Sequence, residues 1–573
     1  MPYITRKRIK GAVYYYAEEC ERREGRVRRK WQKYLGSAEK IVRAVTQPGP
    51  VPTCADIFTL GSPAAYLRVA EDYGIVPIID SVLPKRKQGL SHGFYLALAA
   101  MNRGIAPVSK NSMWQWFQST VLLRRFPRVK RPALSSQRFW DNMSHLDKDK
   151  LAQAWHAVVE AVLDREQIDL TRASFDGTNF YTFIGSFNVR STLAQRGKNK
   201  QGRSNLRQVN YALFCTRRDQ FPLYFDVYEG NRNDVTQFGL VIDKFFAAFG
   251  ARMVDRAGMT IIFDKGINSR KNFEHFSEHQ PFHFVASARI DDHKDLAALR
   301  SDDQRFVPLS DPRLEGVKAW RTVLQMYGRT VTALVTFNQR FHDAQVQSIN
   351  NEVNKALDKL GVLSAKLADR REGRLTQGKS PSVESVRTQV SQILGRQHLK
   401  RLITYTIVKD DATGIAVLNY SFDGSAYAQL CNTHLGKSII FTDNADWSDD
   451  EIVLAYFDQY IIEDAFKQMK DRSNGSWWPM HHWTDGMVRV HGFYCSLALL
   501  LRSLVVRKVK TAGIRISIKQ LHRKLADIRE VLNVFNDKRG ARAGERTQSV
   551  VSRMDETQTK LFRLFRMKEY LAS

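Results

Sequence analysis

Cysteine is scarce in this 573-residue chain: the five present, Cys20, Cys54, Cys215, Cys431 and Cys495, are odd in number and scattered, with no Cys-x-x-Cys pair and no regular spacing to histidine. That pattern argues against a disulfide framework and a zinc knuckle, and a reducing cytoplasm is the default expectation. Long apolar runs are missing too. The longest, Phe493 to Leu501, ends at Arg502; it is under half of the roughly 20 residues needed to cross a bilayer, so no membrane span is expected. The charged N-terminus lacks the apolar segment of a signal peptide. Acidic residues are in deficit, 59 against 88 lysines and arginines, for a formal net charge of +29. What is present, 43% hydrophobic residues and 33 glycines, describes an ordinary globular protein, so the charge belongs to a folded surface and not to a disordered tail. Such a field favours a polyanion, and nucleic acid is the commonest one. The length suggests about three or four domains.

Residues 3 to 35 alternate basic with aromatic and β-branched residues, as short antiparallel strands do. Residues 1 to 36 hold 11 basic and 4 acidic residues, with Tyr14, Tyr15, Tyr16, Trp31 and Tyr34 among them. The mixture suits a phosphate backbone with exposed bases, and equally a basic hairpin packed on its own domain. From about Ala64 to Glu160 the text is helical. Ser135 capping a helix that carries Gln137 and Arg138 matches a helix-turn-helix, and also any capped surface helix.

Residues 168 to 290 change character. A strand around Asp176 is followed by strands at Gln208 to Cys215 and Pro222 to Tyr228, then by a helix from Val235 to Phe249 opened by an Asp234-x-x-Gln237 capping box. The apolar run from Gly258 to Asp264 marks a strand buried on both faces; a helix from about Ser269 to Ser277 and a strand from Phe282 follow. This is the order of a ribonuclease-H-like core. Residues 291 to 437 interrupt it with β-like text at 317–337 and 402–422 around two helices. One carries Val346, Ile349, Val353, Leu357, Leu360, Leu363 and Leu367 on a stripe, the other Val383, Val386, Val390, Ile393 and Leu394, as a hairpin packed on itself does. The expected fold class is α/β: a ribonuclease-H-like catalytic core interrupted by a β-strand insertion with a helical hairpin, plus an N-terminal DNA-binding region and a helical C-terminal region. The expected divisions are a basic β-rich arm (1–60), a helical DNA-binding domain (61–160), the core (161–290 and 438–510), the insertion (291–437) and the C-terminal helices (511–573).

Ser448 and Glu451 form a capping box, so a helix starts there. Taken as one unbroken helix to Lys470, at about 100° per residue, Tyr456, Gln459, Glu463 and Lys470 fall within an arc of roughly 60°. Leu454, Phe457, Ile461 and Ala465 lie opposite, and Asp464 is outside the stripe. Asp176 precedes Gly177 in a strand, and Asp264 ends the most buried strand at the carboxyl edge where α/β sites lie. Three carboxylates from two strands and a helix can hold two divalent metals about 4 Å apart, activating water or a 3′-hydroxyl and stabilising the leaving oxygen of a phosphodiester. Oxygen ligands without cysteine or histidine favour Mg²⁺ or Mn²⁺. Any one of these acids alone is more often a cap or a solvated charge.

Asp176 in Ser-Phe-Asp-Gly-Thr, Asp264 in Phe-Asp-Lys-Gly-Ile and Tyr456-x2-Gln459-x3-Glu463-x6-Lys470 resemble the DDE transposases of bacterial insertion sequences. The closer resemblance is to the insertion-sequence 1634 group of the insertion-sequence 4 type, with its Tyr-x2-Arg-x3-Glu-x6-Lys signature. Lys30-Trp-Gln-Lys-Tyr-Leu-Gly36, Gly202-Arg-Ser-Asn-Leu-Arg-Gln208 and Arg489-Val-His-Gly-Phe-Tyr494 are similar to that group as well. The resemblance implies cut-and-paste DNA transposition, in which hydrolysis exposes a 3′-hydroxyl at each element end and that hydroxyl attacks target DNA. It implies Asp176, Asp264 and Glu463 as catalytic ligands of two ions, Tyr456 and Lys470 as residues that position the end, and a synaptic homodimer on double-stranded DNA. Gln459 stands where the signature has an arginine on the end phosphate. In some relatives a tryptophan opening the strand before the Glu helix stacks a flipped base; the matching position is about Ser438.

Arg196, Lys198, Lys200, Arg203 and Arg207 belong to a stretch, Arg190 to Arg218, with eight basic residues and no acid, an expected DNA-backbone surface. His481, His482 and His491 read as packing or hydrogen-bonding histidines, and Trp477-Trp478-Pro479 as core or hinge. Two rival readings remain: a non-catalytic DNA-binding protein derived from such an enzyme, and a metal-dependent nuclease without strand transfer.

Overall fold

The structure, a computed structural model, describes residues 1–573 except 24–25, 47–50, 86–87, 254–257, 280–281, 474, 476, 537–544 and 573. It comprises two compact units, one of Met1–Arg68, Met113–Arg131 and Val509–Ser573, the other of Val69–Ser112 and Pro132–Lys508.

In the first unit the alternating N-terminal text folds into three antiparallel strands, Tyr3–Ile9, Ala12–Arg23 and Arg26–Gly36. Lys10 and Gly11, both at positive φ, make the first turn, as two-residue hairpins require. A second sheet pairs Cys54–Thr59 with Arg529–Asn536 and that strand with Glu545–Val551. The expectation of a helical region over 511–573 is thereby corrected in part: helices Ile518–Ala526 and Glu556–Leu564 are there, with the two strands between them. Glu530-Val-Leu-Asn-Val-Phe mixes β-branched and polar residues in strand fashion, and its partner strand comes from the far end of the chain, which local text does not announce. Glu530 is fully buried and ion-paired with Arg124, whose guanidinium lies 4.2 Å from the Phe58 ring.

In the second unit nine strands form one mixed sheet. In chain order they are β1 (Arg172–Tyr181), β2 (Gln208–Thr216), β3 (Pro222–Glu229), β4 (Met259–Phe263), β5 (Phe282–Ala288), β6 (Val307–Pro308), β7 (Val317–Met326), β8 (Arg329–Asn338) and β9 (Lys437–Thr442). Their order in space is β3-β2-β1-β4-β5-β9-β8-β7-β6. The β1–β3 strands form an antiparallel meander, β4 runs parallel to β1 and β5 parallel to β4, and the remaining pairs are antiparallel. All residues of β4 are buried, as a strand covered on both faces requires.

One face is covered by α1 (Asp234–Met253) and α2 (Arg270–Glu278), where Phe238 of α1 lies 4.8 Å from Phe175 and 5.1 Å from Phe263, ring to ring. Against the other face lies α3 (Asp449–Phe457), whose Ile452, Val453 and Ala455 share a core with Ile262, Val285 and Ile440. It is followed by α4 (Tyr460–Lys470) and α5 (Asp485–Thr511). Among the described residues α5 is the one helix long and apolar enough to cross a membrane, yet 94% of its apolar window is buried inside the protein.

The segment expected as an insertion, 291–437, does not stand apart as a whole. Its strands β7 and β8 continue the central sheet through β9. The rest, helices Gln339–Arg371, Val383–Ile393 and Gly424–Thr433 with the hairpin Ile403–Lys409 and Ala416–Phe422, surrounds a core containing Val353, Leu360, Val386, Val390, Leu402 and Leu418. A period-two pattern shows that a segment is a strand but not which edge it joins.

Candidate active site

Two acids are set side by side by strand register. The parallel pairing of β1 and β4 matches Ser174 with Ile262, and two residues further along each chain stand Asp176 and Asp264. Side chains alternate across a strand. Phe175 and Phe263 point at Phe238 of α1, so Asp176 and Asp264 point to the opposite face, the face of Ile262 and α3. Asp176 accepts the Gly177 N–H at 2.7 Å, and Asp264 accepts the Ser287 hydroxyl of β5 at 3.1 Å. Burial pushes the Asp176 carboxyl up to about 6; Lys200 and the Gly177 N–H oppose this, while Asp234 and Asp264 add to it.

The capping box at Ser448 and Glu451 forms, but the single helix expected beyond it does not. Over 458–462 the chain tightens into i→i+3 hydrogen bonds, among them Gln459 N–H to Tyr456 C=O at 3.1 Å and Ile462 N–H to Gln459 C=O at 3.2 Å. Asp458 is drawn to Arg217 at 2.5 Å. A 3₁₀ turn advances 120° per residue rather than 100°, so the four-residue stripe is broken. Tyr456 is half-buried, and burial, with the Asp264 and Glu463 charges, pushes its phenol up to about 12 against a hydrogen bond with Ser287. It is a neutral donor at physiological pH. Lys470 donates to Thr178 Oγ1 at 2.6 Å, and burial, with Lys200, lowers its pKa. Glu463 is exposed, and its charge reaches Tyr456. Gln459, expected on the DNA-facing stripe, is 9% exposed and its Oε1 has no partner. That expectation is corrected by the tightened turn, which carries position 459 inward. Asp464 accepts from Gln220 at 2.8 Å and Gln468 at 2.6 Å, a structural role.

The basic loop borders the same strand. Lys200 donates to the Gly177 carbonyl at 2.7 Å, which places its ammonium beside the acid pair. Arg196, Lys198, Lys200 and Arg203 are exposed, and none is ion-paired with a described carboxylate. Arg207 is half-buried and braces the loop through the Gly185 and Asn188 carbonyls at 3.2 and 3.0 Å.

Sequence reasoning missed two features. Asp234 does not cap α1: it accepts the Tyr228 hydroxyl at 2.9 Å, Asn233 takes the Val235 N–H, and Gln237 turns to Asp226. It acts instead as a third acid around Asp176. Gly177 is constrained by that cluster, since a Cβ there would meet the Tyr228 hydroxyl at 3.2 Å. The second feature is the loop in which Phe183, Phe187 and Val189 are 72%, 98% and 89% exposed just before Arg190; three large apolar residues in a loop were the available signal. Two of the three histidines behave as expected of packing groups, His491 being buried against the Trp477 carbonyl and Tyr494 and burial pushing His482 down to about 3, while His481 is exposed. Trp477 is core, stacked on Phe180 at 4.3 Å.

The donors are hard oxygens, which suit Mg²⁺ or Mn²⁺, and a carboxyl held up by burial, as Asp176 is, suits a cation ligand. Among the described residues, however, no three histidines, cysteines or acids converge closely enough to hold a metal ion. The aspartate pair fits a divalent cation; the triad with exposed Glu463 is not assembled.

The sequence matches no protein-family profile and no curated protein. Among solved structures, the cryo-electron microscopy structure of a piggyBac transposase synaptic complex with hairpin DNA aligns over 84% of this chain and 82% of that chain, at 11% identity and a TM-score of 0.35. A similarity at that score transfers no residue role to this chain.

Proposed function

We propose that the chain is a DDE transposase of the insertion-sequence 1634 type, acting on double-stranded DNA as a homodimer through a ribonuclease-H-like core. The supporting observation is the register-matched pair of Asp176, within β1, and Asp264, at the carboxyl end of the neighbouring parallel strand β4, in a sheet whose first five strands run β3-β2-β1-β4-β5. Asp176 and Asp264 would hold a divalent cation, joined by Glu463. When bound, Mg²⁺ or Mn²⁺ supplies activation of the attacking oxygen and stabilisation of the leaving one. The protein's own share is positional. Tyr456 offers a neutral phenol beside Asp264, while Lys200 and Lys470 put positive charge where a scissile phosphate would lie. Arg196, Lys198 and Arg203 track the backbone.

Glu463→Gln and Asp176→Asn should each abolish Mg²⁺-dependent cleavage of element-end DNA and leave end binding nearly intact. Asp464→Asn should keep cleavage, because its carboxylate is engaged by Gln220 and Gln468. Equal loss in Glu463→Gln and Asp464→Asn, or full activity in Glu463→Gln, refutes the assignment. A binding-only reading draws support from the unassembled triad; it predicts salt-sensitive DNA binding and no cleavage by the wild-type chain at any metal concentration.

A further inference from the structure

A cavity of about 540 Å³ in the larger unit is lined from around Lys110, from the helix Ser136–Met143 and from the segment Pro479–Trp483. Small-molecule sites span about 300–1,000 Å³. Its ionisable lining is basic throughout: Arg103, Lys110 and Arg190 with His481 and His482, and no carboxylate. Two of these groups are buried and short of partners. Arg103 is 2% exposed; Nη2 donates to the Pro479 carbonyl at 2.9 Å, while Nε and Nη1 have no acceptor. Lys110 is 9% exposed, and its Nζ has no acceptor and lies over the rings of Tyr494 at 4.2 Å and Phe139 at 5.1 Å. A buried cation without counter-ion or acceptor is costly, and ring faces offset only part of that. Burial, with the Arg103 charge beside it, holds the Lys110 pKa well below its ordinary value, and an anion entering here would restore the ammonium and meet the unsatisfied donors of both side chains.

The rim adds a flat surface. Trp483, 46% exposed, is stacked on Trp140 at 5.2 Å and 23°. Asn188 of the basic loop donates to the Trp483 carbonyl at 3.3 Å, close to exposed Arg190. Cationic donors for a phosphate beside an exposed aromatic ring for a base make the combination that nucleotide binding uses.

We infer that this cavity is a nucleotide-binding site separate from the carboxylate pair: a phosphate enters against Arg103 and Lys110, and the base of the same nucleotide stacks on Trp483. The chemistry is common to a free nucleotide and to one nucleotide of a DNA strand.

Thermal shift and fluorescence titration of the full chain in EDTA test this with metal-dependent cleavage silenced, so the outcome is independent of the proposed activity. The probes are inorganic phosphate, deoxyadenosine monophosphate and a short 5′-phosphorylated oligodeoxynucleotide. The monophosphate should raise the melting temperature and bind more tightly than phosphate. Lys110→Met should weaken it by at least about tenfold. Trp483→Ala, at an exposed position, should weaken it about tenfold and leave inorganic phosphate unaffected. Tighter binding of the oligonucleotide than of the monophosphate makes a DNA strand the occupant; the reverse order makes it a free nucleotide. Failure of every probe to bind, undiminished binding in Lys110→Met, or equal affinity for phosphate and monophosphate overturns the inference.

Discussion

The acid pair carries its own physical signature at the scale of single residues. Asp176 has an ordinary value of 3.8 and is pushed to about 6 by burial. A carboxyl whose folded value is raised contributes stability that is fully present below the unfolded value, near 4, and lost as pH rises through about 6. Asp176→Asn keeps an acceptor for the Gly177 N–H and removes the buried charge. It should therefore stabilise the protein at pH 8 by up to about 3 kcal/mol, and the gain should vanish toward pH 4. Melting temperatures of both forms between pH 4 and pH 8 check this, and a difference that ignores pH would show that Asp176 is not the titrating group. Added Mn²⁺ at pH 8 should recover much of the same free energy in the wild type and none in Asp176→Asn, because only an ionised carboxylate gains from the cation. The acids were legible as residues from their motifs. Asp234 was not, because its text is that of a helix cap and its partner Tyr228 lies on a strand.

Among the elements, the tightened turn between α3 and α4 decides which side chains reach the acids. No glycine or proline marks it; Asp458 is held by Arg217 from the end of β2, a contact that helical periodicity does not encode. One consequence is measurable at Gln459, whose buried Oε1 is unsatisfied. Gln459→Met should leave stability unchanged or raise it by about 1 kcal/mol, since it removes a desolvated acceptor. Gln459→Arg should lower it, because the guanidinium would enter a buried position with no described acceptor waiting. Denaturant midpoints at constant m-value measure both. A stable Gln459→Arg protein with tighter DNA binding would mean that the turn opens outward on DNA.

For the molecule as a whole, the positive charge sorts into groups with different duties. Arg207, Arg217 and Arg124 are tied to carbonyls or carboxylates, while Arg196 and Arg203 stand exposed without ion pairs among the described residues. Arg196→Ala and Arg203→Ala should each reduce the slope of log affinity against log salt by about one and weaken all DNA sequences alike. Arg207→Ala should act through loop stability, with the slope unchanged for refolded protein. Affinity measured across a salt series on element-end and unrelated duplexes separates the two classes.

The sequence by itself determined the alternation of strands and helices from Arg172 to Ala288, the cap at Ser448, the buried character of β4, the placing of Asp176 within one strand and Asp264 at the end of another, and the basic loop. These rest on period, capping and turn chemistry, which act over a few residues. Only the tertiary structure decided that β7 and β8 extend the central sheet, that a C-terminal hairpin pairs with Cys54–Thr59, that Gln459 turns inward, and that Arg103 and Lys110 face one cavity beside Trp483. Each of those depends on which distant segment supplies the partner strand, counter-charge or ring, and no local pattern carries that information.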